Sequence, residues 1–395
     1  MTSLPSVYLD NAATTPCDPR VVDAMLPWLR EHFGNPASRS HAWGREAADA
    51  VERAREQVAR LVHADASEIV WTSGATESNN LALIGAAHAR RERGRHLVTV
   101  KTEHRAVLDT MQALARQGFE VDCLDVEPDG RIDPARFARA LRADTTLASV
   151  MLVNNEIGVV QDIATIGALC RERGIVLHVD AAQATGKVAI DFARLPVDLM
   201  SLTAHKTYGP KGIGALVVRR KPRVRLEPQL HGGGHERGLR SGTLATHQCV
   251  GMGEAFRLAG EEMGEELDRL RTLQQRLRAG LEAIGGVELN GSLEHRVPHN
   301  LNVSLAGVDA EELMLAAGDV AMSTGSACAS GSAGPSHVLR ALGCSDARAH
   351  SSLRLTLGRF TSAEDIDRAV ECLRQGVARL ARSGGQAIAA ATTMS

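Results

Sequence analysis

Between residues 45 and about 260, short runs rich in Val, Ile and Leu alternate with stretches whose apolar residues recur every three or four positions. The two periods belong to different backbones, so the alternation predicts strands separated by helices. Runs that are apolar on both faces have to be covered on both faces, which predicts a mostly parallel sheet packed between helices. Strands are expected near 69–72, 96–101, 146–153, 175–179, 198–203 and 213–219. A helix is expected over 46–62, with Ala47, Val51, Ala54, Val58, Leu61 and Val62 along one stripe. Residues 263–284 read as a long amphipathic helix, after which the pattern changes. Strands near 287–290, 300–305 and 352–357 with helices near 309–317 and 362–382 suggest a smaller α+β domain. The expected class is therefore α/β, with a large domain over 16–260. The small domain takes 1–15 and 261–382, and 383–395, lacking periodicity, reads as a disordered tail.

With 395 residues there is interior enough for a buried ligand. A formal net charge of -2 leaves no electrostatic footprint for nucleic acid. The basic run Arg219, Arg220, Lys221, Arg223 and Arg225 reads as a solvated turn. No apolar run approaches the roughly 20 residues of a membrane span. The first ten residues have neither a basic nor an apolar signal region, so a cytoplasmic protein is expected. Seven cysteines without a CxxC pair argue against a disulfide framework or zinc site and suit a reducing compartment.

Lysine is scarce. Of 45 basic side chains only Lys101, Lys187, Lys206, Lys211 and Lys221 are lysines. An amine forms an imine and a guanidinium does not, so a surviving lysine is a candidate for chemistry.

Ligands of open α/β sheets sit beyond the carboxyl ends of the strands, and those positions here are polar. Thr72-Ser73-Gly74-Ala75-Thr76 opens a helix and offers either a phosphate cradle or ordinary caps. Glu103-His104 brings an imidazole that either stacks on a ring or is structural. Asn154 and Asn155 bring amides. Asp180, with Gln183 just after it, either holds a proton on a heteroaromatic nitrogen or caps a helix. Thr203-Ala204-His205-Lys206 brings the one lysine placed after a strand end inside this polar constellation, and GxxxxGK[ST] is missing. Together the five strand ends favour a pyridoxal-phosphate site.

In the small domain, residues 323–335 are small side chains around a single thiol, Cys328. A long segment with so little to pack is expected to be mobile and functional, and Cys328 is the reactive candidate among the cysteines. Arg354, mid-strand among apolar residues, needs an anionic partner: a substrate carboxylate or an internal salt bridge.

These residues resemble the cysteine desulfurases of iron–sulfur cluster assembly, in the subgroup with a long cysteine loop. The resemblance runs from Val7 to about Arg382. It rests on FGNPASRSH at 33–41, TSGATESN at 72–79, TEH at 102–104, VNNEIGVVQDI at 153–163, HVD at 178–180 and HK at 205–206. HGGGHERGLRSGT at 231–243, GSAC at 325–328 and Arg354 complete it.

The resemblance implies a fold-type-I pyridoxal 5'-phosphate homodimer. It places the imine on Lys206, the pyridinium partner at Asp180, His104 over the ring, Gln183 at the ring hydroxyl and Asn155 near the substrate. Ala75, Thr76, Thr203 and His205 would surround the phosphate, with Thr243 from the other subunit, and Arg354 would hold the carboxylate of L-cysteine. It further implies that Cys328 carries a persulfide to an iron–sulfur scaffold protein and other sulfur acceptors, as in tRNA thiolation. Through that persulfide Cys328 would be a transient [2Fe–2S] ligand shared with the scaffold. The rival readings are a selenocysteine lyase, an aminotransferase of the same fold, or a sulfur-relay protein with a vestigial site.

Overall fold

The computed structural model describes residues 6–324 and 334–392. The chain begins with β1 (Val7–Tyr8), α1 (Pro19–Arg30), α2 (Ala42–Leu61), β2 (Ile69–Thr72), α3 (Ala75–Ala89), β3 (His96–Val100) and α4 (Arg105–Arg116). It continues through β4 (Glu120–Leu124), α5 (Pro134–Ala140), β5 (Thr145–Met151), α6 (Ile163–Glu172), β6 (Val176–Asp180), β7 (Leu199–Thr203) and β8 (Gly214–Val218). After α7 (Thr246–Glu282) come β9 (Val287–Leu289), β10 (Asn300–Leu305), α8 (Ala310–Ala317), β11 (Val320–Ala321) and β12 (Ser323–Thr324). The last elements are α9 (His337–Ala341), α10 (Asp346–His350), β13 (Ser352–Thr356) and α11 (Ala363–Thr392).

A seven-stranded sheet runs β2-β8-β7-β6-β5-β3-β4 and is parallel except where β8 lies antiparallel to β2 and β7. The strands that look apolar in sequence are its interior: β3, β5, β6 and β7 are buried at every position. Strand β4 escapes the hydrophobic pattern because it forms the sheet edge. Glu120 and Asp122 alternate with Val121 and Cys123 there, and an edge strand needs cover on fewer sides.

Helix α7 is longer than its amphipathic stripe implies, at 37 residues, or roughly 55 Å. Its first part is dotted with glycines that hide the period. A Cβ on Gly253 would stand 2.7 Å from Ala54 Cα, and one on Gly251 would stand 2.5 Å from Met25 Sδ, so α1 and α2 pack onto it at close range. Cys249, Met252 and Phe256 belong to the core beneath the large sheet, whereas Leu270, Leu273, Leu277 and Leu281 belong to a second core. One rigid rod is thus shared by both cores.

That second core is covered by the antiparallel sheet β12-β13-β10-β9, with β1 paired to β11 beside it. Val7 and Leu9 are buried in it, which brings the N-terminal segment to the small unit. Helix α11 packs on the same core through Ile366, Ala369 and Leu373. Residues 383–392, expected as a tail without structure, continue this helix. Ala387, Ala389, Ala390 and Ala391 there are the strongest helix formers, and that propensity outweighs the missing apolar period. The expectations for Cys328 and for residues 325–333 fall outside the described residues. No described helix is long and apolar enough to cross a membrane.

Candidate active site

The carboxyl ends of β2, β3, β5, β6 and β7 open onto one cavity of about 490 Å³. Ala75, Thr76, His104, Asn155, Asp180, Gln183, Thr203, His205 and Lys206 all line it, so residues scattered over 130 positions in the chain converge where strand-end logic placed them.

At one side, Gly74 precedes helix α3 with φ 152° and offers no side chain to cap the first turn. A Cβ on Gly214 would stand 2.6 Å from Gly74 Cα, so the two glycines let β8 and this turn touch. The bare helix start faces Thr203 and His205, and backbone N–H groups with the positive end of a dipole suit a phosphate. Glu77, also in the first turn, is occupied elsewhere: it accepts from Arg240 Nε at 2.7 Å and from Ser73 N at 2.8 Å. His205 shares a hydrogen with Thr14 Oγ1 at 3.2 Å, and burial beside Lys206 pushes its ring down to about 4, so it is neutral.

At the other side, Asp180 accepts from Ala182 N at 2.9 Å and from Asn79 Nδ2 at 2.8 Å. No helix follows Asp180 before β7, so the helix-cap alternative fails. Asn79 sits inside α3, and nothing in the sequence marked it as the residue that orients Asp180. Gln183 gives its amide to Ala12 O at 2.8 Å, leaving its Oε1 buried with no partner among the described residues.

His104 is both structural and part of the pocket. Its Nδ1 accepts from Ala106 N at 3.1 Å as the cap of α4, which leaves the ring proton on Nε2. Burial and then Lys206 lower its pKa, so a neutral ring faces the cavity. Behind it lies Glu103, fully buried. One oxygen accepts from Met151 N at 2.5 Å, and burial next to Asp180 raises its pKa well above the carboxylate range. Asn154, expected to orient a ligand, instead builds a turn: it accepts from Glu156 N and Ile157 N and donates to Thr102 O.

Arg354 and Thr243, also expected at the site, do not line the cavity of this chain. Arg354 is buried and donates to Asp10 Oδ1 at 2.8 Å and to Asn155 O at 3.0 Å. It thus meets the cavity through the backbone of a lining residue, and an internal salt bridge satisfies part of its charge. Thr243 is exposed and does not line the cavity of its own chain. The segment that contains Cys328 leaves from β12, whose Ser323 pairs with Arg354. It returns to Ser336 and His337, where Ser336 Oγ meets Glu156 Oε2 at 2.5 Å and His337 Nε2 meets Glu103 O at 3.0 Å. Both ends are thus tied to residues that adjoin the lining residues Asn155 and His104.

The donor set fits pyridoxal phosphate. An amine, Lys206, and a carboxylate, Asp180, share the cavity, the uncapped helix offers donors for a phosphate, and the orphaned Gln183 Oε1 offers an acceptor for a ring hydroxyl.

The sequence profile of the aminotransferase class-V family matches residues 7–369. The cysteine desulfurase IscS of Methylococcus capsulatus is 65% identical over 374 residues, which is 95% of this chain and 93% of that protein. Among solved structures, a NifS-like protein superposes with TM-score 0.89 at 34% identity, covering 94% of this chain and 99% of that one. Another, SspA in complex with cysteine, has TM-score 0.80 and 38% identity over 90% of this chain and 100% of that one. Similarity that spans nearly the whole chain, on a fold that carries the expected pocket, means that the chain belongs to the aminotransferase class-V family and, within it, to the pyridoxal-phosphate-dependent cysteine desulfurases.

Proposed function

We propose that the chain takes sulfur from L-cysteine, releases L-alanine, and holds the sulfur as a persulfide on Cys328 for acceptor proteins that include an iron–sulfur scaffold. The observation that carries this reading is a juxtaposition. Lys206, Asp180 and His104 share one cavity, and the flanks of the Cys328 segment are bonded to Arg354 and Glu103, which adjoin the lining residues Asn155 and His104.

Bound pyridoxal phosphate supplies an electron sink for bond breaking at the substrate. Everything else falls to the chain. Asp180, oriented by Asn79 and Ala182 N, keeps a proton on the ring nitrogen, and the start of α3 with Thr203 and His205 holds the phosphate. Lys206 would anchor the cofactor, and as a free amine it would take the proton from the substrate Cα. Arg354 holds the substrate carboxylate and Asn155 borders the substrate. The Cys328 thiolate then attacks the substrate sulfur. A sulfur–sulfur bond forms, the carbon–sulfur electron pair stays with carbon, a proton is added at Cβ, and Lys206 returns its proton to Cα to complete alanine.

Thr243 serves the phosphate of a partner subunit in a cytoplasmic homodimer, an assignment supported by its exposure away from its own cavity. The test is to add L-cysteine to the purified yellow protein and quantify alanine and sulfide with a reducing thiol present. Equal yields are expected from the parent, and Cys328→Ala should keep the cofactor colour yet lose sulfide release by at least about 100-fold. A colourless protein, or full-rate sulfide release from Cys328→Ala, overturns the reading.

A further inference from the structure

A second cavity, of about 600 Å³, lies where residues 187–189 meet the middle of α7 and the segment 293–298. Four of its lining side chains are cationic: Lys187, Arg271, Arg278 and Arg296. The one carboxylate, Glu294, extends into solvent with 87% of its side chain exposed. Arg271 and Arg278 pair with Asp268 and Glu282, solvent-exposed neighbours one turn away on the same helix, and such pairs rearrange at little cost.

The other two cations are less well served. Arg296 gives Nη2 to the carbonyls of Ile157 at 2.9 Å and Asn290 at 2.6 Å. Its Nε and Nη1 are buried with no hydrogen-bond partner among the described residues. Burial and the neighbouring Arg278 push its guanidinium down to about 10. Lys187 is 7% exposed, and burial followed by the charge of Lys206 pushes it down to about 7. The acidic group that acts on it, Glu266, is already bonded to Arg359 at 2.9 Å and Tyr208 at 3.1 Å. Among the described residues Arg296 and Lys187 thus have no salt-bridge carboxylate, in a space of the size that small ligands occupy.

Lys187 is one of the five lysines, and strand-end chemistry leaves it unexplained. Its Nζ donates to the backbone carbonyl of Lys206 at 2.7 Å. A residue that lines the second cavity therefore also holds the main chain of the cofactor lysine. We propose that this cavity binds a small oxyanion with two or more negative charges, a polycarboxylate or a phosphate compound, and that Lys187 links its occupancy to Lys206. The forked guanidinium groups of Arg271 and Arg278, with the ammonium of Lys187, match carboxylate or phosphate oxygens. A ligand that draws Lys187 toward itself shifts the hydrogen bond that positions Lys206.

The test is calorimetric titration of the full-length holoenzyme at constant ionic strength, with citrate in one arm and pyrophosphate in the other. One saturable site per chain is expected in at least one arm, and the arms distinguish the two sources of oxyanion. The double variant Arg271→Gln, Arg278→Gln should weaken that binding at least about tenfold, and both side chains are 40–60% exposed, so the fold should survive. Saturation should also shift the cofactor's visible absorption in the parent but not in Lys187→Met. The absence of a saturable site in both arms below about 10 mM overturns the proposal. So does binding that the double variant leaves intact, which would place the anion on another basic surface. Binding without any absorption change removes the link to Lys206.

Discussion

Asn79 holds Asp180 from inside helix α3, and the worth of that contact can be measured. A hydrogen bond to a charged group contributes about 1.5–3 kcal/mol. Asn79→Ala should therefore weaken cofactor retention by about 10- to 100-fold, read from the visible absorption during dialysis. Unchanged retention would mean that Ala182 N orients Asp180 by itself. Glu156 yields a prediction of a different kind. It is fully buried against Ser336, and burial raises its pKa from 4.5 to about 7. Between those values the native chain holds a proton that the unfolded chain has lost, so stability is greatest below 4.5 and falls as pH rises through about 7. The loss amounts to about 3 kcal/mol at pH well above 7. Glu156→Gln keeps an oxygen to accept from Ser336 and removes the titration. Its stability gain over the parent, from urea unfolding, should grow by about 2–3 kcal/mol between pH 5 and pH 8. An equal gain at both pH values would contradict the assignment.

At the scale of elements, β6 shows how a strand can be polar inside and still sit at the centre of a sheet. His178 is fully buried, and its ring reaches Ser149 Oγ on β5 at 2.8 Å and Ser201 Oγ on β7 at 2.9 Å. Burial pushes it down to about 4, so the ring is neutral, with one nitrogen donating and the other accepting. His178→Leu should cost about 2–4 kcal/mol in chemical unfolding, because two buried hydroxyls lose their partner. Adding Ser149→Ala and Ser201→Ala should restore part of that loss, whereas a cost that persists in full would point to packing instead. The same strand marks how far the site was legible in the sequence. Asp180, Lys206, His104, Asn155 and Thr203 could be found because strand ends deliver them, and the apolar runs that locate those ends are a strong local signal. Asn79 and Glu103 could not. Their roles depend on which helix or strand end packs next to Asp180, a tertiary fact with no local period. Arg354 was half legible: its need for an anion follows from its apolar neighbours, but Asp10 lies 344 positions away.

At the scale of the whole molecule, the cavity is assembled by one chain except at its phosphate side, where Thr243 is expected to come from a second copy. In a two-fold dimer that expectation has a consequence that no single variant shows. Lys206→Ala removes the amine of its own site, whereas Thr243→Asp places a negative charge beside the phosphate of the neighbouring site. Each homodimer is then defective at both sites. When the two variants are unfolded together and reassembled in equal amounts, half of the dimers are mixed. In a mixed dimer one site collects both defects. The other site has an intact Lys206 facing an intact Thr243, so desulfurase activity should return to about one quarter of the parental value. If Thr243 acts within its own chain, the intact Lys206 always sits with Asp at 243, and mixing restores nothing. Measuring alanine release from the mixture against both homodimers separates the two arrangements, and a mixture no more active than its parts would place the phosphate wall entirely within one chain.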